Sequence, residues 1–347
     1  MTKPGSHVDI SRRTFLEGAA GTTAIGLTGL AGCLGDDELE ELTVAYMPIY
    51  PDMQYFVMQE EGYLDELSVS VDAREFTDGP SIVQAYASGE IDVGLFGIIP
   101  SMIVIDRGIP AKVVATNIKE PMMIMAHEDL RELWDEHEAE TFAEFEAEYG
   151  RPFRFGTFPE GSTPDILLRY WLSDIHGLTP GEDVEITEIG GANAVWQAMA
   201  NGEIDGTSIM EPVPTIAEEE GSPIGRLAIA SEFMPGQPAA VVLMNDTTRE
   251  HEVGEEFLEA HIRATEFINE EPDATAQHAS TVIGESSLPV ERARKALDSP
   301  LSNFVSDPRE IEEGTEIFAE YAHELGRTDE RLSLEDVFDY DLYESVS

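Results

Sequence analysis

The sequence predicts an α/β protein built as two lobes of similar design. Three observations carry this prediction. Strand-like and helix-like stretches alternate from residue 42 onward, the rhythm of sheets flanked by helices. A nine-residue segment, Gln84-Ala85-Tyr86-Ala87-Ser88-Gly89-Glu90-Ile91-Asp92, recurs as Gln197-Ala198-Met199-Ala200-Asn201-Gly202-Glu203-Ile204-Asp205, identical at seven positions with a constant offset of 113. A period that long is no solenoid repeat. Finally, roughly 300 residues can bury a large core and build two domains.

The elements follow in order. Residues 42–46 read as a strand, broken by Met47-Pro48-Ile49-Tyr50-Pro51. A helix follows over about 52–61, stopped by Gly62, and 67–76 alternates as a second strand. Residues 80–87 are helical to Gly89, 91–95 form a strand, 100–107 a helix to Gly108, and 111–116 a strand. The Glu-rich stretch 127–150 reads as surface helix. Strands at 153–157, 184–189, 204–209 and 239–244 and helices at 164–175 and 192–200 complete the alternation. Beyond Glu250 the chain is mainly helical, over 255–269, 273–283, 290–297 and 308–325. Both copies of the repeated segment lead from helix through Gly into a strand and then a Pro-containing loop, Phe96-Gly97-Ile98-Ile99-Pro100 and Met210-Glu211-Pro212. Ligands of open α/β sheets bind beyond the carboxyl ends of strands, so two such lobes facing each other make a cleft.

The N-terminus carries a different message. Ser11-Arg12-Arg13-Thr14-Phe15-Leu16 has the twin-arginine export pattern, and an apolar small-residue stretch follows over 18–32. That stretch is shorter than the roughly 20 residues of a membrane span and suits a cleaved segment. It ends Leu30-Ala31-Gly32-Cys33, a lipobox whose thiol would receive a lipid; Cys33 is the only cysteine of the chain. A lone thiol in an exported protein asks for an explanation, and lipidation supplies one. The expectation is a signal peptide over 1–32, an acidic tether over 33–39, and a protein held at the outer face of the cytoplasmic membrane by its lipid alone.

Twenty Lys and Arg stand against 70 Asp and Glu, a net charge of −50. Such a surface repels nucleic acid and anionic headgroups. The acid is spread over the whole body rather than in one block, and at molar salt the Debye length is about 3 Å. The pattern therefore reads as the solvated surface of a halophile. The eight His are scattered, no metal-ligand spacing or nucleophile motif stands out, and no cofactor or metal is expected.

In this order, Tyr46-Met47-Pro48, Gly62-Tyr63-Leu64, the Ala-x-x-x-Gly-Glu-Ile-Asp-Val-Gly run from Ala85, Gly161-Ser162-Thr163 and the Gly-x-Ile-Asp run leading to Glu211-Pro212 resemble a known family over about residues 40–245. It is the periplasmic binding proteins of nitrate, sulfonate, taurine and thiamine-pyrimidine type ABC importers. The resemblance implies the type II binding-protein fold, with two crossings between lobes placed near His127 and Pro238. The first lobe would then hold 40–126 and 239–347, the second 127–238. It also implies a monomer that closes on a small solute and is recognised by ABC permease and ATPase partners.

Four loops carry the ligand-facing positions that the resemblance implies: Met47, Pro48 and Tyr50; Phe96, Gly97 and Ile98; Ser162 and Thr163; Met210 and Glu211. Asn193, Trp196 and Gln237 are weaker candidates. Each has a plainer reading: Tyr50 as a surface aromatic, Gly97 as a tight turn, Glu211 as a hinge or helix-start carboxylate. Thr163 as N-cap before Pro164 would offer free N–H groups to an anion, although Asp165 already complements that helix dipole. These loops hold no Lys or Arg, which tilts the expectation toward an organic, aromatic or amine-bearing solute without excluding an anion. Two rivals remain: an enzyme on the same fold, of the pyrimidine-precursor or menaquinone-pathway kind, and a solute sensor.

Overall fold

The computed structural model describes residues 39–347. The export pattern, Cys33 and nearly all of the acidic tether lie outside the described residues. Ten strands form two sheets: β1 (Glu41–Tyr46), β2 (Ser70–Glu75), β3 (Val93–Gly97), β4 (Ala111–Thr116), β5 (Met122–His127), β6 (Phe153–Thr157), β7 (Val184–Glu188), β8 (Gly206–Met210), β9 (Ile224–Ile229) and β10 (Ala240–Asn245). Their orders are β2-β1-β3-β10-β4 and β7-β6-β8-β5-β9.

The two orders are the same pattern. In each, three parallel strands are followed by one antiparallel strand, β10 or β5, second from the edge. Even the irregularity recurs: the register slips between Val242 and Leu243 in β10 and between Ile124 and Met125 in β5. Each lobe therefore holds one strand reached by crossing from the other. The first crossing, expected near His127, falls earlier, in residues 117–121, because β5 already pairs with β8 and β9. The second lies between helix Ala230–Phe233 and β10.

The repeated segment owes its identity to this pattern. Asp92 takes Thr43 N–H on its carboxylate at 2.8 Å and gives its own N–H to Thr43 O at 3.0 Å. Asp205 does the same to Arg154, at 3.0 and 2.7 Å. Each Asp O then accepts from the last residue of the antiparallel strand, Asn245 N or His127 N, at 2.9 and 3.0 Å. A carboxylate at the foot of β3 or β8, part-buried at Asp92 and buried at Asp205, thus satisfies the start of the neighbouring strand. Asn245 and His127 each then cap the helix that follows, accepting from Thr248 N and Asp129 N.

The C-terminal helices cover the first sheet. Helix Glu252–Glu270 turns Val253, Phe257, Ala260, Ala264 and Ile268 inward at helical spacing, against Val44, Met53 and Phe56. In the second lobe the stretch expected as surface helix instead buries Phe142 and Phe145 beneath Phe153, Phe155 and Trp171. The two crossings run side by side and are mutually hydrogen-bonded: Asn117 N to Ala240 O at 3.0 Å, and Glu120 N to Gln237 O at 2.7 Å. Gly314 of helix Glu312–Glu324 packs so tightly on them that an added Cβ would sit 2.5 Å from Gly236 O.

Candidate functional site

The ends of β1, β3, β6, β7 and β8 and the start of β10 converge on one cavity of about 540 Å³. This is the geometry that strand polarity dictates, since the antiparallel strand starts where its parallel neighbours end. Of the expected residues, Met47, Pro48, Tyr50, Gly97, Ser162, Thr163, Asn193, Met210 and Glu211 line it.

Three do not. Phe96 points to the opposite face of β3, as strand alternation requires, and stacks on Tyr86 at 6.0 Å. Ile98 is wholly buried in the core, with its N–H given to Ala239 O at 2.8 Å. Gln237 is buried in the second crossing, where its carboxamide bonds Pro238 O; it belongs to the hinge. Trp196 packs on the second lobe's core. Sequence reasoning missed Asp78, Phe158, Pro159 and the C-terminal Ile283, Ser287 and Leu288. Phe158 and Pro159 follow β6 directly and were findable as a strand-end loop; nothing local marks Leu288.

Among the described residues, the ionisable lining groups are Tyr50, Asp78 and Glu211. Asp78 is committed to its own helix, where its Oδ1 accepts from Ser81 N at 2.8 Å and Ser81 Oγ at 2.7 Å. Glu211 is 4% exposed, and its Oε2 accepts from Thr215 N at 3.2 Å. Burial pushes its pKa above the usual carboxylate value, partly offset by bonds from Ser299 and Thr215. Tyr50 donates to Ser302 Oγ at 2.8 Å and leans on Phe304. Burial keeps its phenol protonated, and Glu211 and Asp298 reinforce this.

On the second lobe the wall is the start of helix Thr163–Tyr170. Ser162, rather than Thr163, is its N-cap, with Pro164 in the second position. Neither the Ser162 nor the Thr163 hydroxyl has a partner within the protein, although both are buried. Asp165 is turned back onto Gly161 N at 3.1 Å and Arg169 at 2.9 Å. The first N–H groups of this helix have no intrahelical acceptor by construction. Gly97 faces them across the seam. Its φ of −60° suits any residue, but a Cβ there would meet Thr163 Oγ1 at 2.6 Å.

Behind the first loop lies a buried polar chain. Met47 N donates to Asp52 Oδ2 at 3.2 Å, and Asn117 Nδ2 donates to Asp52 Oδ1 at 3.2 Å. His261 Nε2 donates to Asn117 Oδ1 at 3.0 Å. Burial drives Asp52 well above the usual carboxylate range and pushes His261 down to about 3, so the imidazole stays neutral. The chain ties the cavity loop at Met47 to Asn117, the first residue of the hinge. No group of three or more His, Cys, Asp or Glu is placed to hold a metal ion among the described residues. Nor, among them, is any helix long and apolar enough to cross a membrane.

The profile of the NMT1-like family matches residues 35–284. A protein of Brucella abortus named as a binding protein is 26% identical over 246 residues, covering 70% of this chain and 69% of its own length. Among solved structures, the ligand-binding component of an ABC-type import system from Staphylococcus aureus aligns over 89% of this chain and 99% of its own, with a TM-score of 0.68 at 16% identity. The periplasmic nitrate-binding protein of Synechocystis aligns over 89% and 88%, with a TM-score of 0.68 at 15% identity. The periplasmic aliphatic sulphonate-binding protein of Escherichia coli aligns over 88% and 99%, with a TM-score of 0.68 at 18% identity. These likenesses establish the periplasmic-binding-protein fold.

Proposed function

This chain belongs to the NMT1-like family, and on that premise we propose that it is the solute-capturing component of an ABC importer. It takes a small organic solute between its lobes and presents the closed form to a permease. One observation carries the reading: the matched strand ends of two like lobes converge on a cavity of about 540 Å³, within the usual range of small-molecule sites. Met47, Pro48, Met210 and Leu288 supply apolar contact there. The free hydroxyls of Ser162 and Thr163 and the helix start beneath them suit a hydrogen-bonding end of the solute.

The finer identity follows from charge. Glu211 is the buried carboxylate of the wall, and no basic side chain lines the cavity among the described residues. This favours an amine-bearing or pyrimidine-like solute over nitrate. A sulfonate of the taurine kind fits if the helix start at Ser162 holds its anionic end. The test is thermal unfolding in molar KCl with a panel of aminopyrimidines, taurine and alkanesulfonates, simple amines and nitrate. A solute at 100 times its Kd adds about 2.7 kcal/mol, a rise of about 4 °C for a body of roughly 300 residues. Glu211→Gln should weaken an amine-bearing solute by tenfold or more and a neutral one far less. A panel without any shift overturns capture by this cleft; equal loss for both solutes leaves Glu211 a structural role.

The same reading places the protein outside the cell, exported through Arg12 and Arg13 and anchored by a lipid on Cys33. Cys33→Ser should send it into the medium. Unchanged retention in the membrane fraction would rule the anchor out.

A further inference from the structure

Both lobes are strongly negative: residues 117–239 alone carry 25 Asp and Glu against 6 Lys and Arg. Two such bodies repel across the cleft that divides them. One flank of the seam reverses the sign. Helix Val213–Glu219 of the second lobe ends in Glu218 and Glu219, with Glu220 at its C-cap. Three carboxylates at the negative end of a helix dipole are unfavourable by themselves. Their compensation comes from the other lobe. Helix Val290–Leu297, packed into the first lobe's core through Ala293 and Ala296, presents Arg292 and Lys295 to them.

Arg292 Nε lies 2.9 Å from Glu219 Oε2, and its Nη2 lies 3.6 Å from Glu220 Oε1. Lys295 Nζ lies 3.8 Å from Glu219 and 3.9 Å from Glu218. The two helices continue directly from opposite cavity walls: Glu211, Pro212 and Val213 lead into one, Ser287 and Leu288 into the other. Widening the cavity between those walls therefore pulls the charge cluster apart.

We propose that Arg292 and Lys295, docked on Glu218, Glu219 and Glu220, form a salt-tuned latch that biases the lobes toward the closed cleft. The physics lies in two ranges. At 0.1 M salt the Debye length is about 10 Å, and repulsion between the acidic lobes acts across the cleft. At 1 M it is about 3 Å, so repulsion at a distance is lost while charges in contact still attract. Rising salt removes the opening force sooner than the closing one. The latch concerns shape alone, so its failure would leave solute capture standing.

The test is the radius of gyration of the ligand-free full chain by small-angle X-ray scattering, from 0.1 to 3 M KCl. The wild type contracts as salt rises. Arg292→Gln with Lys295→Gln shifts the open-to-closed ratio roughly 3- to 10-fold toward open, the scale of one part-exposed cluster held by two cations. Arg294→Gln is the control, because Arg294 sits on the same helix but pairs with Asp273 and Asp298 of its own lobe, at 2.6 and 2.5 Å. It should follow the wild type. A charge swap of the whole cluster, Arg292→Glu and Lys295→Glu combined with Glu218→Lys, Glu219→Arg and Glu220→Lys, should restore the wild-type profile, and it decides the matter if the double Gln variant unfolds. A profile unmoved by the latch variants, equal opening by Arg294→Gln, or no rescue by the charge swap overturns the latch.

Discussion

Asp205→Ala should cost the fold about 3–5 kcal/mol, the range for removing one partner of a buried ion pair. Its carboxylate is met by both guanidinium forks, from Arg151 at 2.6 and 2.9 Å and from Arg154 at 3.0 and 2.9 Å, and by Arg154 N at 3.0 Å. The change strands two cations and the N–H of Arg154 near the start of β6. Arg151 and Arg154 keep some access to water, which places the loss at the lower end of that range. Asp92→Ala, at the matching place in the first lobe, strands only Thr43 N and the Asn245 carboxamide. It should cost about 1–3 kcal/mol. Urea unfolding in molar KCl measures both, and a loss below 1 kcal/mol at Asp205 would refute the account. The effect also has a pH signature. Burial alone would raise the pKa of Asp205, but its bonds from Arg154 and Arg151 outweigh burial and hold it below the usual carboxylate value. The stabilisation is therefore fully present above about pH 4 and is lost as pH falls through the depressed folded-state value. The gap between wild type and Asp205→Ala should close only in that acid range.

Gly97→Leu should reduce affinity for the captured solute by about 100-fold while leaving the ligand-free protein folded. The backbone of Gly97 is ordinary, so no strain attends the change. What the side chain meets is Thr163 on the opposite lobe, 2.6 Å from a Cβ, and Pro100 at 3.3 Å. A branched side chain placed in that seam props the lobes apart, and the solute then binds one wall of the cavity without the other. A hundredfold loss corresponds to about 2.7 kcal/mol, a plausible share for half the contacts of a closed site. Titration calorimetry with the solute found by the thermal panel measures it. Gly97→Ala should fall in between, and adding Thr163→Ala to it should recover most of the affinity. Wild-type affinity in Gly97→Leu would mean that closure does not bring these two residues together.

The strands missed in the sequence show where local reading stops. β5 is Met-Met-Ile-Met-Ala-His, buried on both faces, so it has no alternation and lacks the β-branched run that marks a strand. β9, Ile-Gly-Arg-Leu-Ala-Ile, is an edge strand weakened by Gly. Missing β5 put the first crossing a few residues late. Among the site residues, the loops after β1, β6 and β8 were legible because a strand that ends in Pro or Gly declares its own turn. Phe96 and Ile98 flank the lining residue Gly97 yet face the core, a distinction set by which face of β3 meets helix Gly79–Ala87.

The sequence by itself determined that there are two like lobes, that strand-end loops of both face a shared space, and that this space lacks a basic side chain. Those properties reside in local periodicity, in punctuation by Gly and Pro, and in a repeat identical at seven of nine positions. Only the tertiary structure decided that β5 and β10 are exchanged between the lobes, that Gly97 lies against Thr163 of the other lobe, and that Leu288 and the Arg292 helix return to the cavity. Each depends on residues more than sixty positions apart, or on the sidedness of a buried strand. Pairings at that range are set by the packing of whole layers, which leaves no mark in any window of sequence.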